Sequence, residues 1–547
     1  MSVLSLSAMT SPPRRDYACV LGVRTLPSEQ MSITAERKPA RALAIAATAL
    51  AMGLLALAMP VNHDESQYVA AGALAAHARP YADFVYLQTP LQLNIAAPLA
   101  ALFPGWLFIA GRLANAMMGT AVLVLVFLVQ RRMGAGARRA AAGAGLLGLS
   151  YVFQFCFSLV RNDALPGLLE ALAILAMLEG LRGGARAPWL WAAAGACLGA
   201  AASAKLSYAV PLAFTGLFVL AQTGLRRVSI LSLLGCGLGL LIGLLPCLVA
   251  WREAPDAFVW DVVGFPTTGP LDWYREIGQG ARLGLVSRIG DGAFHLMVGP
   301  GLAILFAVLA SGAAGWRARA RQRTARAASP ERLLLALLAL AGLVAALTPV
   351  PMQRQYLLPL LVPMVALWGA QDEDWRRVDR RLRLAILALM AVGGAIGLGR
   401  LVYVFGDAVR LQAAGPGAPA VALTREAHWI GERLRADHAS GFVSTLSPQA
   451  AADSGYPVDP RFAAGPFVYR SGDALADAEQ LRLHAISPRT LARFLDADPP
   501  AAVVTGYERA PRDLDGALRA YAAARGYRLE HSPYGRAELY VRPDRAP

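Results

Sequence analysis

Up to about residue 406 the chain alternates long apolar runs with short, arginine-rich breaks, and beyond it the pattern turns mixed and polar. The runs are about 20 residues long, the length of a helix that crosses a bilayer, and about eleven can be read. The first five are 40–60, 106–130, 138–158, 164–181 and 189–203. A sixth ends at Arg226 and Arg227, a seventh at Trp251 and an eighth near Ala310. A ninth ends near Thr348, a tenth opens at MQRQYLLPLL and stops before Asp372, and an eleventh ends near Phe405. In lipid the backbone polar groups must be satisfied within the segment, so each run is predicted to be a helix. The pattern predicts a polytopic α-helical membrane protein with a C-terminal α/β domain.

Two breaks are long, 61–105 and 252–292. The first has apolar faces that predict helices lying along the membrane surface. The second carries Phe258, Trp260, Phe265, Trp273 and Tyr274, aromatics suited to headgroup depth. Arg37, Lys38 and Arg41 precede the first run, which places the N-terminus in the cytoplasm. The basic breaks then all fall inside, including Arg317, Arg319, Arg321, Arg323 and Arg326, and Arg376, Arg377, Arg380, Arg381 and Arg383. An odd number of spans leaves the tail outside. Residues 1–39 lack periodicity and read as a disordered cytoplasmic start, with Met31 an alternative first residue and no secretory signal near Met1. The membrane domain covers 40–406 and the extracytoplasmic tail 407–547. In the tail, 425–437 and 513–525 have helical spacing, while GFVSTLS, PAAVVTGY, YRLEHS and AELYVRP read as strands. GPGAP at 415–419 reads as a linker, and no internal repeat is found.

Composition agrees. Of 547 residues 56% are hydrophobic, more than a soluble chain of this size needs. The net charge of +15 would otherwise point to nucleic acid. Here the arginines sit in short loops without interleaved aromatics, so the positive-inside rule accounts for them and nucleic acid is excluded. The five cysteines, Cys19, Cys156, Cys197, Cys236 and Cys247, form no C-x-x-C, so neither a zinc site nor a disulfide framework is indicated. The Ala- and Arg-heavy composition suggests a GC-rich bacterial genome, and with this topology the chain is expected in a bacterial inner membrane, its tail periplasmic.

Several ionisable residues from distant segments meet at the outer face in this topology: Asp64, Asp83, Arg112, Asp163, Lys205, Arg354 and Tyr356. Carboxylates and cations together at one membrane face suit an anionic ligand and a base, and a phosphate at that depth belongs to a lipid. A structural reading stands beside the functional one at each position. Asp64 is placed to cap a helix, with Gln67 closing a capping box, and Asp163 is placed to cap the fourth span. Glu170 lies two turns inside that span on the face of Asp163, where an ionisable group faces a cavity or partner. Lys205 interrupts an apolar stretch between the fifth and sixth spans, where snorkelling or a salt bridge is the plain reading.

At these residues the chain resembles the GT-C superfamily of polyprenyl-phosphate-sugar-dependent glycosyltransferases. It is similar to the branch holding the protein O-mannosyltransferases and the lipid A aminoarabinose transferase. The resemblance is sharpest where HDESQY is followed by ARPYADFVYLQTPL, and extends to VRNDALPGLLEALAIL, SAKLSYAVPL and RQYLLPLLVP. Gln88 and Thr89 stand where a basic residue often follows the first-loop segment. The resemblance implies catalytic roles for Asp64, its neighbour Glu65 and Asp163. It implies substrate binding by Tyr81, Asp83, Arg112, Lys205, Arg354 and Tyr356, and a divalent cation, Mg or Mn, at Asp64 and Asp163. The implied reaction moves a sugar from a polyprenyl-phosphate carrier to an extracytoplasmic lipid, glycan or protein, with Asp64 as general base and inversion at the anomeric centre. The alternative is a transporter or lipid-linked-sugar flippase using Glu170 and Lys205. Against it stand the lack of paired inverted halves and the large outer loops.

Overall fold

The computed structural model describes residues 28–321 and 329–543. Compactness divides the chain into Met1–Ala47 and Thr48–Pro547, and the candidate site lies wholly in the second unit. Every apolar run read from the sequence is helical. Among the described residues, seven helices are long and apolar enough to cross a membrane. The pair Ala137–Leu149 and Tyr151–Ser158, bent by 69°, makes an eighth if taken as one span. Ala164–Gly180, Ala187–Ala204 and Leu358–Ala370 are shorter or less apolar, and the last is buried along its whole length by its neighbours.

One expectation at the N-terminus changes. The first helix runs Ser28–Ala58, so 28–39 is helical rather than disordered. Its Ala35, Glu36, Arg37 and Lys38 are good helix formers, and propensity prevails where periodicity is weak. Residues 1–27, and Arg323 and Arg326 of the basic loop, lie outside the described residues.

The bundle is apolar outward as well as inward, as lipid demands. Ile230–Glu253 exposes Leu234, Leu238, Leu241 and Leu245. Its opposite face meets Ala187–Ala204 through small residues. A Cβ at Gly239 would overlap the Ala192 carbonyl oxygen, and one at Gly195 the Cys236 carbonyl oxygen. Without a hydrophobic drive between helices in lipid, such close backbone approach supplies the packing.

Both long loops and the tail share apolar cores at one end of the bundle. Glu65–Leu74 and Pro90–Leu102 are the helices of the first loop. The second loop is helical over Pro255–Glu276, with one wide turn at Trp260–Gly264, and again over Leu285–Met297. Tyr68, Phe84 and Phe108 pack with Ala420, Leu423 and Ala450 of the C-terminal part. Val85, Leu87 and Phe265 pack with Ala464 and Val468. Polar bonds add to this contact. The buried Asp453 carboxylate accepts from the Leu107 and Phe108 backbone N–H groups at 2.7 and 3.2 Å, capping the helix Leu107–Arg132. His428 Nε2 bonds the Gly105 carbonyl oxygen at 2.7 Å.

The four strands read from the tail form one sheet: β1 (Val443–Ser444), β2 (Ala502–Thr505), β3 (Arg528–His531) and β4 (Glu538–Val541). The order is β1-β2-β4-β3, with β1 parallel to β2 and the other pairs antiparallel. Strand alternation sorts the two faces. Val504, Leu539 and Val541 pack on Ile430 and Leu434 of the helix Pro419–Ala436. Val503 and Tyr540 face Leu518 and Tyr521 of the helix Gly516–Ala524. The membrane-side helix Arg380–Ala413 continues past residue 406 before this domain begins.

The glycine contact is testable. Gly239→Leu should separate the two helices and lower the melting temperature in detergent by several degrees, a cost of about 1–3 kcal/mol from overpacking. Gly237→Leu, on an open face of the same helix, should leave it unchanged.

Candidate active site

The site grows out of the turn between the first span and Glu65–Leu74. Glu65 and Arg112 are both fully buried and form a two-pronged ion pair, Nε–Oε1 at 2.9 Å and Nη2–Oε2 at 2.6 Å. The remaining bonds are also made. Glu65 accepts from the Asn62 and Val160 backbone N–H groups at 2.9 and 2.8 Å. Arg112 donates to the carbonyl oxygens of Ala56, Met59 and Pro60 and stacks on Phe108. Glu65 and Arg112 therefore form a closed joint between the first span, the helix Leu107–Arg132 and the loop at Val160.

Asp64 faces the other way. Its side chain is 22% exposed. One oxygen meets His63 Nε2 at 2.9 Å and the other pairs with Arg161. Arg161 Nε also donates to Asp163 at 2.8 Å, and Lys205 pairs with the second Asp163 oxygen. One guanidinium thus bridges two carboxylates. Neither acid makes a side-chain capping bond to its own helix, so the capping reading of Asp64 and Asp163 gives way to this cluster. Burial would raise the Asp64 carboxyl, but Arg161 and His63 outweigh it and hold it well below the usual carboxylate range. Burial pulls His63 down, but Asp64 outweighs it and leaves the imidazole above its ordinary value. Asp163 is lowered against its burial by Lys205 and Arg161.

Further cations surround this cluster. Lys205 Nζ stands 5.1 Å from the Tyr356 ring centre. Arg161 and Arg354 both lie over Phe155, at 5.0 and 4.6 Å. Arg354 and Arg400 both lie over Tyr151, at 4.8 and 3.6 Å. Neither forms an ion pair among the described residues, and the Nε of each is buried without a hydrogen-bond partner. From the tail, Arg470 rests on Trp273 and Phe467 at 4.8 and 5.0 Å, and Phe467 also packs against His63 at 5.5 Å.

No protein-family model and no curated protein sequence matches this chain. Solved structures do. ArnT from Cupriavidus metallidurans bound to undecaprenyl phosphate superposes with a TM-score of 0.56 at 16% identity, over 92% of this chain and 98% of that one. Its apo form gives 0.55 at 15% identity, over the same shares. The chain has the GT-C fold. The Archaeoglobus fulgidus oligosaccharyltransferase gives 0.48 at 14% identity, over 91% of this chain and 73% of that one.

Within this GT-C fold, Asp64, Asp163, Lys205 and Tyr356 are gathered with Arg161, and Arg354 joins them through Phe155. Glu65 and Arg112 lie behind them in the closed joint. Asp83 and Tyr81 stand apart. Asp83 pairs with Arg79 near the surface, at 2.9 Å. Tyr81, at a φ of 68°, donates to the Gln88 carbonyl oxygen at 2.6 Å and packs edge-on against Phe258. Gln88 and Thr89 reach across to Asn162 and the Ala202 carbonyl oxygen, so they brace the loop where a basic residue was expected. The donor set does not fit a divalent ion at Asp64 and Asp163. Their oxygens already face Arg161 and Lys205, and no group of three His, Cys, Asp or Glu suited to a metal occurs among the described residues. His63, Arg400 and Arg470 were not among the sequence candidates. Arg400 had a signal, as a lone charge within an apolar span. Arg470 had none.

Arg112→Ala should cost about 3–5 kcal/mol, because it leaves the buried Glu65 charge unpaired; detergent melting reads this directly. The lowered Asp64 carboxyl stabilises the fold above the ordinary carboxylate value of about 3.9 and ceases to do so as pH falls through its folded value. The wild-type melting advantage over Asp64→Asn should therefore shrink as pH falls below about 4, and it should also shrink as pH rises through the raised His63 value, because Asp64 is what holds that imidazole protonated.

Proposed function

We propose that this protein is a membrane glycosyltransferase that moves a sugar from a polyprenyl-phosphate carrier to an extracytoplasmic lipid, glycan or protein. One observation carries the reading. Asp64, a partly open carboxylate, lies near Arg354, which shares the Tyr151 ring with Arg400, and these two half-buried arginines have no carboxylate partner among the described residues. The GT-C fold supports it, as does the undecaprenyl phosphate bound by ArnT in the same fold. The arginine-rich breaks support an orientation with the loop end of the bundle outside and the N-terminus in the cytoplasm.

The chemistry follows from this arrangement. The acceptor oxygen attacks the anomeric carbon as the bond from that carbon to the carrier phosphate oxygen breaks, so the centre inverts. The hydroxyl proton passes to Asp64, and the electron pair leaves with the phosphate. Arg354 and Arg400 would stabilise the charge that collects there, with Lys205 and Tyr356 nearby. A carboxylate held low is a weak base. The phosphate is a good leaving group, so Asp64 needs only to orient the hydroxyl and take its proton late. Asp163 would hold Arg161 and through it Asp64. The flippase alternative has Glu170 to support it, a buried carboxylate with both oxygens unpartnered.

Radiolabelled polyprenyl-phosphate sugars, incubated with membrane extract and the protein in liposomes, should lose label to the extract. Asp64→Asn should cut this by about 10²- to 10⁴-fold with membrane insertion intact. Label that changes sides while the carrier stays whole would instead establish a flippase.

A further inference from the structure

The cations around Asp64 fall into two groups, and the transfer reaction just described uses one of them. Arg354 and Arg400 share the Tyr151 ring among the spans. Arg470 belongs to the C-terminal domain, next to the helix Pro466–Tyr469. It lies on Trp273 from the second loop and Phe467 from the tail, so its plane is set by two rings from separate segments.

Arg470 has neutral rings for neighbours and no bonded anion. Among the described residues its guanidinium makes no ion pair, and its Nε is buried without a hydrogen-bond partner. The ionisable groups near enough to act on it are Asp64, Tyr274, Glu508 and His63. Asp64 is already bonded to Arg161 and His63, and Glu508 is bonded to Ser447. Tyr274 accepts a hydrogen bond from Gln353, beside Arg354. A guanidinium presents five donors in a flat fork that fits two oxygens of a phosphate or carboxylate. Stacking on aromatic faces fixes that fork in advance.

We propose that Arg470, held on Trp273 and Phe467, forms a second anion subsite beside Asp64 that takes a phosphate or carboxylate of the substrate. The subsite is separate from the Arg354–Arg400 pair. It rests on the glycosyltransferase reading for its role in turnover, though not for its existence. The anion has two sources with the same chemistry, a further phosphate on the carrier or an acidic group on the acceptor. In either case the C-terminal domain supplies a substrate contact and is part of the active site.

The test begins without turnover. Calorimetric titration of the purified full-length protein with inorganic phosphate should show two sites. Arg470→Gln should lose one, weakened at least tenfold, and keep the other. Arg354→Gln should do the reverse. Arg470→Lys, which keeps the charge and covers the case in which Arg470→Gln fails to fold, should bind phosphate with an intermediate affinity. Two sites kept in Arg470→Gln, or a single wild-type site lost with Arg354, would overturn the subsite whether or not the protein is a transferase. With turnover established, Arg470→Gln should raise KM at least tenfold for the carrier or for the acceptor, with kcat little changed. The substrate affected identifies the source of the anion. KM unchanged for both would overturn the role in substrate binding.

Discussion

The buried Glu65–Arg112 pair is the constraint on which the rest of this end of the molecule depends. Two charges removed from water must satisfy each other and every remaining donor and acceptor. Here they do so with backbone from three separate segments: Ala56 to Pro60, Asn62 and Val160. The first loop therefore has one way to leave the membrane. Asp64, one residue earlier, is turned toward the cluster because Glu65 is turned away from it. Adjacent acids take opposite roles, one closing the joint and the other meeting the site.

The cluster around Asp64 follows from the same logic. Arg161 spans Asp64 and Asp163, and Lys205 completes the second acid, so three segments far apart in sequence are held by one alternation of charge. Aromatic rings extend the array where carboxylates stop. Phe155 lies under both Arg161 and Arg354, and Tyr151 under both Arg354 and Arg400. The acids lie at one side of the array and uncompensated cations at the other. A displacement with a phosphate leaving group needs a proton acceptor and a cationic region in that arrangement. The tail belongs to the same unit, since Asp453 caps a span and Phe467 packs on His63.

Much of this was legible in the sequence. Runs of spanning length gave the helices, and period-two alternation with turn residues gave the four strands of a small sheet. The acids at 64 and 163 stood out because each follows or precedes an apolar run. Their pairing did not. The bridging position of Arg161 depends on the fold bringing residues 64 and 163 together. Glu65 and Arg112 read as site residues because sequence shows charge at a membrane face and not how completely that charge is neutralised. Tyr81 and Asp83 belong to a motif whose work is internal bracing, through Gln88 and Arg79. The first helix started earlier than its apolar stretch because polar helix formers carry no hydrophobic signature.

The most direct measurement is a structure of the protein with undecaprenyl phosphate bound. The phosphate should lie within hydrogen-bonding distance of Arg354 and Arg400, with Asp64 still paired to Arg161 and open on its remaining side. A phosphate that instead displaces Asp64 from Arg161, or one bound away from both guanidiniums, would contradict the division of this site into a base and a separate cationic seat for the leaving group.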